Sequence, residues 1–320
     1  MTVENDVLFD VHEPAHDGHA LSSIEDSDVA RVAQWFMARW NRADLEARFS
    51  RIFRQSFDEV LDGQRTGRYD VKDLEKTEKT YLGTKVEIIC RSDFGLPRGE
   101  RMDYRIDGVE ADAKFSLDGR WMIPREATGH VCLLMAANDA NSTFSVGLVK
   151  IRPEILTASG NQDGKKNISK AGRRSISWLY EGGRLSQNLL LQLEPEVRRS
   201  VMAVPPGQNR VDQLFRRVQG SIVDRNAVVT VAKQLDAPKR VRDARSRLAD
   251  EGVVILGAQN ESPRIAEALD LPVPEKGTWV AVRLVPAPAV TDRRTVVVGG
   301  ECYATAEPGE KNHPAPEIRY

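Results

Sequence analysis

The chain has 320 residues and a mass of 35.7 kDa, so it is long enough for two domains that each bury an apolar core. With 41% hydrophobic residues, 29% charged residues and a net charge of −1, its composition is typical of globular proteins and excludes a disordered chain. The three cysteines exclude a disulfide framework and a thiolate metal cage. A catalytic metal would therefore need oxygen or imidazole ligands.

The sequence shows no sign of a membrane or secretory protein. No run approaches the roughly 18 apolar residues that a membrane-spanning helix needs. The first residues also lack the basic and then apolar pattern of a signal peptide. We therefore predict a cytoplasmic protein with no membrane partner.

Charge is unevenly distributed along the chain. Residues 1–26 contain seven Asp and Glu and no Lys or Arg, which predicts a solvated, disordered acidic tail. Residues 165–250 contain 18 Lys and Arg against 8 Asp and Glu. Such a basic block is typical of modules that bind a polyanion, because Lys and Arg displace the counterions condensed on phosphates.

Apolar residues at helical spacing predict two helices near the start of the chain, over residues 27–40 and 44–62. The stretch over 71–90, whose middle is polar, is also predicted to be helical. Ser27-Asp28 is the expected cap of the first helix, and Asp62-Gly63 is the expected stop of the second. We interpret the apolar stripes of the first two helices as core packing and assign them no chemistry.

From Asp103 the apolar period changes to two. Strands are predicted over residues 103–106 and 109–116, joined by the Asp107-Gly108 turn typical of tight hairpins, and then over 130–136 and 144–151. The mixture of helices and strands predicts an α/β (α+β) fold of the size of a nuclease domain.

Two segments are candidate linkers, residues 159–167 and 181–183. The second is favoured because a new apolar run begins at Leu189, just beyond it. The sequence therefore predicts one domain over residues 27–183 and another over 184–320.

Three more helices and then two strands are predicted past residue 205. In the first two helices apolar residues recur at i, i+3, i+4 and i+7, and the last of these residues in the second helix is Leu235. Pro238 starts the third helix, which is basic outside one narrow apolar face, and Gly252 closes it. Strands follow over residues 253–256 and 279–285. This is the layout of a winged helix-turn-helix, whose third helix enters a DNA major groove.

Three short motifs are assigned no chemistry. Residues 12–16 have the H-E-x-x-H spacing of a zinc motif, with His19 nearby, but Pro14 would break the helix that the motif needs. Residues 160–165 resemble a phosphate-binding loop, but the two glycines are too close and Lys166 replaces the required Ser or Thr. His130 is predicted in an apolar strand without a paired nucleophile, so we interpret it as structural.

The predicted hairpin places two carboxylates and an amine on one face. A two-residue turn at Asp107-Gly108 fixes the register, so that Asp103 lies opposite Asp112 and Lys114 follows on the same face. Opposed carboxylates about 5 Å apart repel by about 3 kcal/mol at a dielectric of about 20. A divalent cation such as Mg²⁺ converts that repulsion into attraction, and Lys114 could support an attacking water and counter charge on a phosphate. D…D-x-K is the metal site of many nucleases, and a solvated hairpin face is the alternative.

Segments spread in order over about residues 58 to 286 match one known family. They include Asp62-Gly-Gln-Arg-Thr-Gly-Arg68, Lys76-Thr-Glu-Lys-Thr80, Val86-Glu87-Ile88, Asp103-Tyr104, Asp112, Lys114-Phe115-Ser116, Gly129-His130, Cys132-Leu133, Gly147-Leu-Val-Lys150, Leu214-Phe-Arg-Arg-Val218 and Lys239-Arg-Val-Arg242. Together they resemble the NaeI-type (type IIE) restriction endonucleases.

The resemblance implies a homodimeric, Mg²⁺-dependent type II site-specific deoxyribonuclease. Such an enzyme cuts both strands of a short palindrome, here expected to be GCCGGC, to a 5′-phosphate and a 3′-hydroxyl, and a cognate DNA methyltransferase is its functional partner. In this family an N-terminal nuclease domain cleaves double-stranded DNA. A C-terminal winged-helix domain resembling the catabolite activator protein binds a second copy of the site and activates cleavage.

The resemblance also implies roles for four residues. Asp103 and Asp112 would be metal ligands, and Lys114 would support the attacking water. Glu87, from the preceding helix, would hold a water or a second metal. Glu87 could not have been chosen without the resemblance, because an exposed helix carboxylate is ordinary.

Five basic residues are predicted to contact DNA. Arg240, Arg242 and Arg245 are candidates for phosphate or guanine contacts, since arginine can bridge the two acceptors of a guanine edge. Lys76 and Lys79 are candidates for phosphate contacts. The alternative for both sets is a solvated, charged helix surface.

Two other functions stay open at this stage. One is a non-enzymatic winged-helix regulator, which would have no use for the opposed aspartates and Lys114. The other is a DNA-repair or strand-passing enzyme on the same framework. Strand passage would need a nucleophile, and no tyrosine lies in a recognisable motif for it.

Overall fold

A computed structural model describes residues 25–288 and 291–320. The motif at residues 12–16 and nearly all of the predicted acidic tail lie outside the described residues. The chain forms two compact units. Unit 1 contains the described residues up to Val60 together with Leu74–Gln187, and unit 2 contains Leu61–Asp73 and Asn188–Tyr320. Each described helix is too short or too polar to cross a membrane.

From residue 25 onward, four α-helices precede the first strand. They are α1 (Ser27–Arg39), α2 (Arg42–Leu61), α3 (Gly63–Thr66) and α4 (Lys76–Phe94). The first two confirm the predicted helices. The cap of α1 is Asp26, because its carboxylate accepts hydrogen bonds from the Asp28 and Val29 N–H groups, so the predicted cap at Ser27-Asp28 is wrong by one residue. The helix predicted over 71–90 begins only at Lys76, after a 3₁₀ turn at Val71–Asp73.

The main sheet of unit 1 has five strands, in the order β1-β2-β4-β5-β7. The strands of this unit are β1 (Tyr104–Ile106), β2 (Val109–Ser116), β3 (Met122–Ile123), β4 (Val131–Asn138), β5 (Thr143–Lys150), β6 (Lys166–Asn167) and β7 (Ser177–Arg184). Strands β2 and β4 run parallel, the other neighbours run antiparallel, and β3 pairs with β6 in a small separate sheet. The predicted mixed α+β class is confirmed.

The favoured linker at residues 181–183 is wrong, because these residues lie within β7. A Cβ added at Gly183 would lie 2.6 Å from the Phe144 ring. This glycine therefore allows the close approach of β7 to an aromatic side chain. The other candidate linker contains β6 and lies inside unit 1.

The main sheet of unit 1 is covered on both faces. An aromatic cluster lies between helices α1, α2 and α4 and one face of the sheet: Phe36, Phe49, Phe53, Phe94, Phe115, Phe144 and Tyr180. The other face carries a second apolar cluster, which includes Trp121, Ile123, Cys132, Leu134, Ile155, Ile168 and Ile176. Phe115 therefore faces the helices, and the neighbouring positions of β2 face the opposite side.

Unit 2 has six helices in its C-terminal part and one antiparallel sheet. The helices are α5 (Leu189–Gln192), α6 (Pro195–Met202), α7 (Gln208–Arg217), α8 (Arg225–Ala232), α9 (Ala237–Leu248) and α10 (Ser262–Ala268). The strands are β8 (Ile222–Asp224), β9 (Val253–Leu256), β10 (Thr278–Pro286), β11 (Thr295–Val298) and β12 (Glu301–Thr305). The sheet order is β11-β12-β10-β8, and β9 also pairs with β10.

Helices α7, α8 and α9 confirm the three helices predicted past residue 205. The narrow apolar face of α9 is buried through Val241, Ala244 and Leu248. Helix α8 ends at Ala232, because Lys233 adopts a left-handed conformation, and Leu235 is 62% exposed. The inclusion of Leu235 in the second helix was therefore wrong.

Unit 2 includes a segment from the first part of the sequence, residues 61–73. Gly63 at the start of α3 packs against α8 so closely that an added Cβ would collide with the Thr230 hydroxyl. The Asn188 amide donates a hydrogen bond to the Tyr69 carbonyl, at 2.8 Å. The sequence had placed this segment in the first domain, because nothing local distinguishes it from its neighbours.

Candidate active site

Strands β1 and β2 form the predicted hairpin in the predicted register. Ile106 pairs with Val109 and Tyr104 with Ala111. Asp107 and Gly108 have φ angles of 49° and 80°, as a two-residue hairpin turn of this type requires. Asp103 lies one residue before β1, and its carboxylate accepts a hydrogen bond from the Ala113 N–H at 2.8 Å. This bond extends the link between the two chain segments beyond the last backbone pair.

The structure brings together Asp103, Asp112 and Lys114. The Lys114 Nζ lies 2.9 Å from Asp112 Oδ1, 2.7 Å from Asp112 Oδ2 and 4.0 Å from Asp103 Oδ2. Asp112 is buried, with 7% of its surface exposed. One ammonium group therefore contacts both carboxylates at the point where the sequence predicts a cation.

Burial dominates the electrostatics of the Asp112–Lys114 pair. Desolvation raises the pKa of Asp112 to about 6, against the opposing effect of the Lys114 ammonium, and Asp103 raises it further. Burial by itself lowers the pKa of Lys114, but the Asp112 charge more than offsets this and the pKa is raised. The charged form of a carboxylate in this environment is stabilised by an adjacent cation.

Cys132 is the nearest neighbour of Asp112 on the adjacent strand. The two residues are paired in the parallel register of β2 and β4, and Cys132 Sγ lies 3.9 Å from Asp112 Oδ2. Burial raises the pKa of Cys132 well above its usual value, so the group is a neutral thiol near pH 7. The place of Cys132 beside Asp112 cannot be predicted from local sequence, because the pairing of β2 with β4 brings it there.

Glu87 lies on α4, which packs against β2. The buried Tyr104 hydroxyl donates a hydrogen bond to the Glu87 backbone carbonyl at 2.9 Å, which fixes this turn of the helix against the hairpin. Burial raises the pKa of Glu87, the Asp103 charge raises it further, and Lys114 acts in the opposite direction. Glu87 is therefore within electrostatic reach of the cluster.

The carboxylates of Asp103 and Asp112 form a set of two candidate metal ligands. Among the described residues, no group of three or more His, Cys, Asp or Glu side chains is placed so that it could hold a metal ion. Glu87, Asp103 and Asp112 are thus not assembled as a three-carboxylate site. Two carboxylates nevertheless fit Mg²⁺, which prefers oxygen, keeps several waters and commonly takes one or two protein carboxylates. The candidate ligands from Asp103 and Asp112 are carboxylate oxygens, and the neighbouring Cys132 is a neutral thiol.

The predicted DNA contacts lie on two helices. Lys76 and Lys79 are exposed in the first turn of α4, and Lys79 precedes Glu87 by eight residues, about 12 Å along the helix axis. On α9, Arg242 is exposed and Arg240 is half-buried, with its Nη1 3.5 Å from Gln208 Oε1.

Arg245 makes contacts inside unit 2. Its Nε donates a hydrogen bond to the Ile255 carbonyl at 2.8 Å, and its guanidinium lies 3.7 Å from the centre of the Tyr320 ring. Burial lowers the pKa of Arg245 to about 10. Of the three predicted arginines, Arg242 is thus the most accessible and Arg245 the most engaged with its own unit.

Comparisons with known proteins show the family of this chain. The model of the restriction endonuclease NaeI family matches residues 37–314. This chain belongs to the NaeI restriction endonuclease family. The type II restriction enzyme NaeI of Lentzea aerocolonigenes is 42% identical over 278 residues, which cover 83% of this chain and 87% of that relative. The resemblance to NaeI-type enzymes is confirmed, and the matched range contains the hairpin, α4 and α9.

Proposed function

We propose that this NaeI-family protein is a type II site-specific deoxyribonuclease of a restriction–modification system. Its substrate is double-stranded DNA carrying a short palindrome, with GCCGGC as the expected sequence. The observation that supports this most directly is the position of Lys114 Nζ, 2.7 Å from Asp112 Oδ2 and 4.0 Å from Asp103 Oδ2. Paired carboxylates beside a lysine can gather a divalent cation and a scissile phosphate at one point.

Asp103 and Asp112 are the residues that would hold Mg²⁺. When bound, the ion would act as a Lewis acid and neutralise charge that develops on the phosphate. Glu87 would hold a water or a second ion near Asp103. Its raised pKa supports this placement, because Asp103 is among the charges that raise it.

Hydrolysis forms a bond from a water oxygen to phosphorus and breaks the bond from phosphorus to the 3′-oxygen. Because the pKa of Lys114 is raised, its ammonium stays protonated near neutral pH and donates hydrogen bonds to the water and the phosphate. Glu87, whose pKa is raised by burial, is the better acceptor for the proton of the water. The 3′-oxygen takes a proton from solvent, which leaves a 5′-phosphate and a 3′-hydroxyl.

Unit 2 is proposed to be a winged-helix domain that resembles the catabolite activator protein. In support, α7, α8 and α9 are followed by the antiparallel strands β9 and β10, as in winged helix-turn-helix domains. Helix α9 would enter the major groove of a second copy of the site, and its occupancy would activate cleavage. Arg242 and Arg240 would contact that DNA, and Arg245, which is bonded to Ile255, would contribute less.

A palindromic site supports a homodimer, because its two halves are related by the same two-fold symmetry as two copies of one chain. Lys76 and Lys79, exposed at the start of the helix that carries Glu87, would contact phosphates of the cleaved duplex. The functional partner would be a DNA methyltransferase that protects the same sequence.

The other functions have less support. A non-enzymatic regulator has no use for a buried aspartate that shares a lysine with a second aspartate. For a strand-passing enzyme, Tyr104 is the tyrosine nearest the cluster in sequence, but its hydroxyl is buried and bonded to the Glu87 carbonyl. It is thus poorly placed to attack a phosphate.

Digestion of sequenced plasmids with the purified protein and Mg²⁺ tests the proposal. We expect discrete fragments whose ends, mapped by sequencing, lie in one palindrome. Asp112→Asn is expected to bind the same DNA without cutting it. Uncut DNA over a range of Mg²⁺ and salt concentrations, with binding retained by the unmodified protein, would favour the regulator.

A further inference from the structure

Asp103 reaches the candidate active site from a loop. Helix α4 ends at Phe94 with Gly95 as its C-cap, and residues 97–103 have no regular secondary structure before β1 begins at Tyr104. Asp112 and Lys114, in contrast, lie inside β2, where they pair with Cys132 and Leu134 of β4. The position of the Asp103 carboxylate therefore depends on what holds this loop.

Glu110 holds the loop through three backbone hydrogen bonds. Its Oε1 accepts from the Glu100 N–H, and its Oε2 accepts from the Arg101 and Met102 N–H groups, each at 3.0 Å. The last of these donors is the residue immediately before Asp103. Three charge-assisted bonds to consecutive backbone groups fix the path of the chain as it enters the site.

Gly99 allows the same contact. A Cβ added there would collide with the Met102 carbonyl and lie 2.7 Å from Glu110 Oε2 and 2.9 Å from the Tyr104 carbonyl. The loop thus folds closely around the Glu110 carboxylate, and a side chain at position 99 would push them apart.

Glu110 belongs to the same hairpin as the cluster. It pairs with Arg105 in the ladder and lies two residues before Asp112, so its side chain leaves the same side of β2. From there it reaches the loop, while Asp103 bonds back to the Ala113 N–H. Strand β2 therefore holds Asp103 through two contacts. Glu110 fixes the loop before Asp103, and the Ala113 N–H donates to the Asp103 carboxylate.

We propose that Glu110 is a positioning residue that sets the distance between the Asp103 and Asp112 carboxylates and thereby the affinity of the site for its divalent cation. Glu110 does not touch the reacting atoms and acts through the loop. The proposal rests on the proposed function, because it concerns the same cation site. Groups that orient metal ligands typically contribute about 10-fold to 100-fold in metal affinity.

The test uses the full-length protein and two measurements. Binding of Mn²⁺ is measured without DNA by the electron paramagnetic resonance signal of the free ion, and single-turnover plasmid cleavage is measured against Mg²⁺ concentration. For Glu110→Gln we expect Mn²⁺ to bind at least about tenfold more weakly. The half-saturating Mg²⁺ concentration should rise in parallel, while the cleavage rate at saturating Mg²⁺ stays near that of the unmodified protein.

Two further variants separate position from charge. Glu110→Asp keeps the charge but is one methylene short of the loop amides, so it is expected to resemble Glu110→Gln. Glu100→Gln removes a carboxylate from the same loop whose side chain is 84% exposed and lies 3.8 Å from Arg105, and it is expected to leave Mn²⁺ affinity unchanged. Equal weakening by Glu100→Gln and Glu110→Gln would overturn the proposal in favour of a general charge effect.

Wild-type Mn²⁺ affinity in folded Glu110→Gln would also overturn the proposal. If that variant does not fold, as judged by its thermal melt, Gly99→Ala decides. Weaker Mn²⁺ binding in Gly99→Ala supports the role of the loop, and unchanged binding contradicts it. An unmodified protein that binds no Mn²⁺ and cuts no DNA would instead overturn the proposed function itself.

Discussion

Lys114 Nζ lies 2.7 Å from Asp112 Oδ2, and the same lysine donates a hydrogen bond to the Ala113 carbonyl at 2.9 Å. The ammonium is thus held by the strand it belongs to, two residues from its carboxylate partner. Asp112 in turn is held against Cys132 on the neighbouring strand. The lysine therefore neutralises the buried Asp112 carboxylate.

Replacement of Lys114 by Met should abolish cutting and spare DNA binding. The variant loses the hydrogen bonds to the water and the phosphate, which are realised chiefly in the transition state, so the cleavage rate should fall by about 10²-fold to 10³-fold or more. Single-turnover cleavage with Mg²⁺ and binding anisotropy with Ca²⁺ measure the two effects. Arg31→Met, a change of an exposed cation on α1, is the control. A variant that cuts as fast as the unmodified protein would exclude Lys114 from the reaction.

Tyr104→Phe should weaken both stability and cleavage. The change keeps the buried ring but removes the hydroxyl that donates to the Glu87 carbonyl, at a cost of about 1 kcal/mol in the free energy of unfolding. Cleavage should slow because the turn that carries Glu87 is no longer fixed to the hairpin. Urea unfolding and single-turnover rates test this. Tyr81→Phe, at an exposed position of the same helix, should change neither. A full cleavage rate in Tyr104→Phe would contradict the link to Glu87.

Arg242 and Arg245 should respond differently to substitution. Arg242→Gln should weaken binding of cognate duplex and reduce the stimulation of cleavage by added duplex. The slope of log affinity against log salt concentration should fall in magnitude by about one. Arg245→Gln should lower the thermal melting temperature, because the bond to Ile255 and the contact with Tyr320 are lost, and change the salt dependence little. Anisotropy titrations across a salt series, with melts of both variants, distinguish them. The reverse pattern would place Arg245 on the DNA.

Unit 2 should become less stable in acid, because the ion pair of Arg216 and Glu251 is lost there. The bond from Arg216 holds the pKa of Glu251 below its usual value, with distances of 2.6 and 2.7 Å. A lowered folded-state pKa stabilises the fold above the unfolded pKa, and this contribution is lost as pH falls through the folded value. Because both side chains are about one-third exposed, its size is at most about 1 kcal/mol.

Glu251→Gln measures this contribution. Its free energy of unfolding should lie below that of the unmodified protein at pH 7, and the two should converge as pH falls through the lowered pKa of Glu251. Glu267→Gln, at an exposed position of α10, is the control and should show no difference at either pH. A difference between Glu251→Gln and the unmodified protein that stays constant with pH would show that the ion pair is not its cause.

The sequence predicts the cluster of Asp103, Asp112 and Lys114 because one local rule decides it. A two-residue turn at Asp107-Gly108 leaves a single register, and the alternation of a strand then assigns each side chain to a face. The place of Cys132 depends on the parallel pairing of β2 with β4, which no local pattern specifies. The contact between Glu110 and the loop cannot be predicted from the alternation of apolar and polar residues either, because Glu110 has the position of an ordinary solvated strand residue.

Other features of the structure depend on distant contacts in the same way. Residues 181–183 have the composition of a linker, and the Phe144 ring explains why glycine is needed at position 183 within β7. Arg245 looks like its neighbours on α9, and only Ile255 and Tyr320 distinguish it. Periodicity identified the helices, whereas the contacts that assign roles to single side chains come from residues far away in sequence.

The position of α3 has a consequence for the synthesis of the protein. The segment 61–73 belongs to unit 2, so the chain passes between the units three times. The ribosome makes Gly63 well before Thr230, its packing partner, and at typical elongation rates the delay is about 10–30 s. The contact between α3 and α8 therefore cannot form until nearly three-quarters of the chain exists. During that interval α3 lacks its packing partner α8. The residues of unit 1 that flank the segment 61–73 are already available to fold.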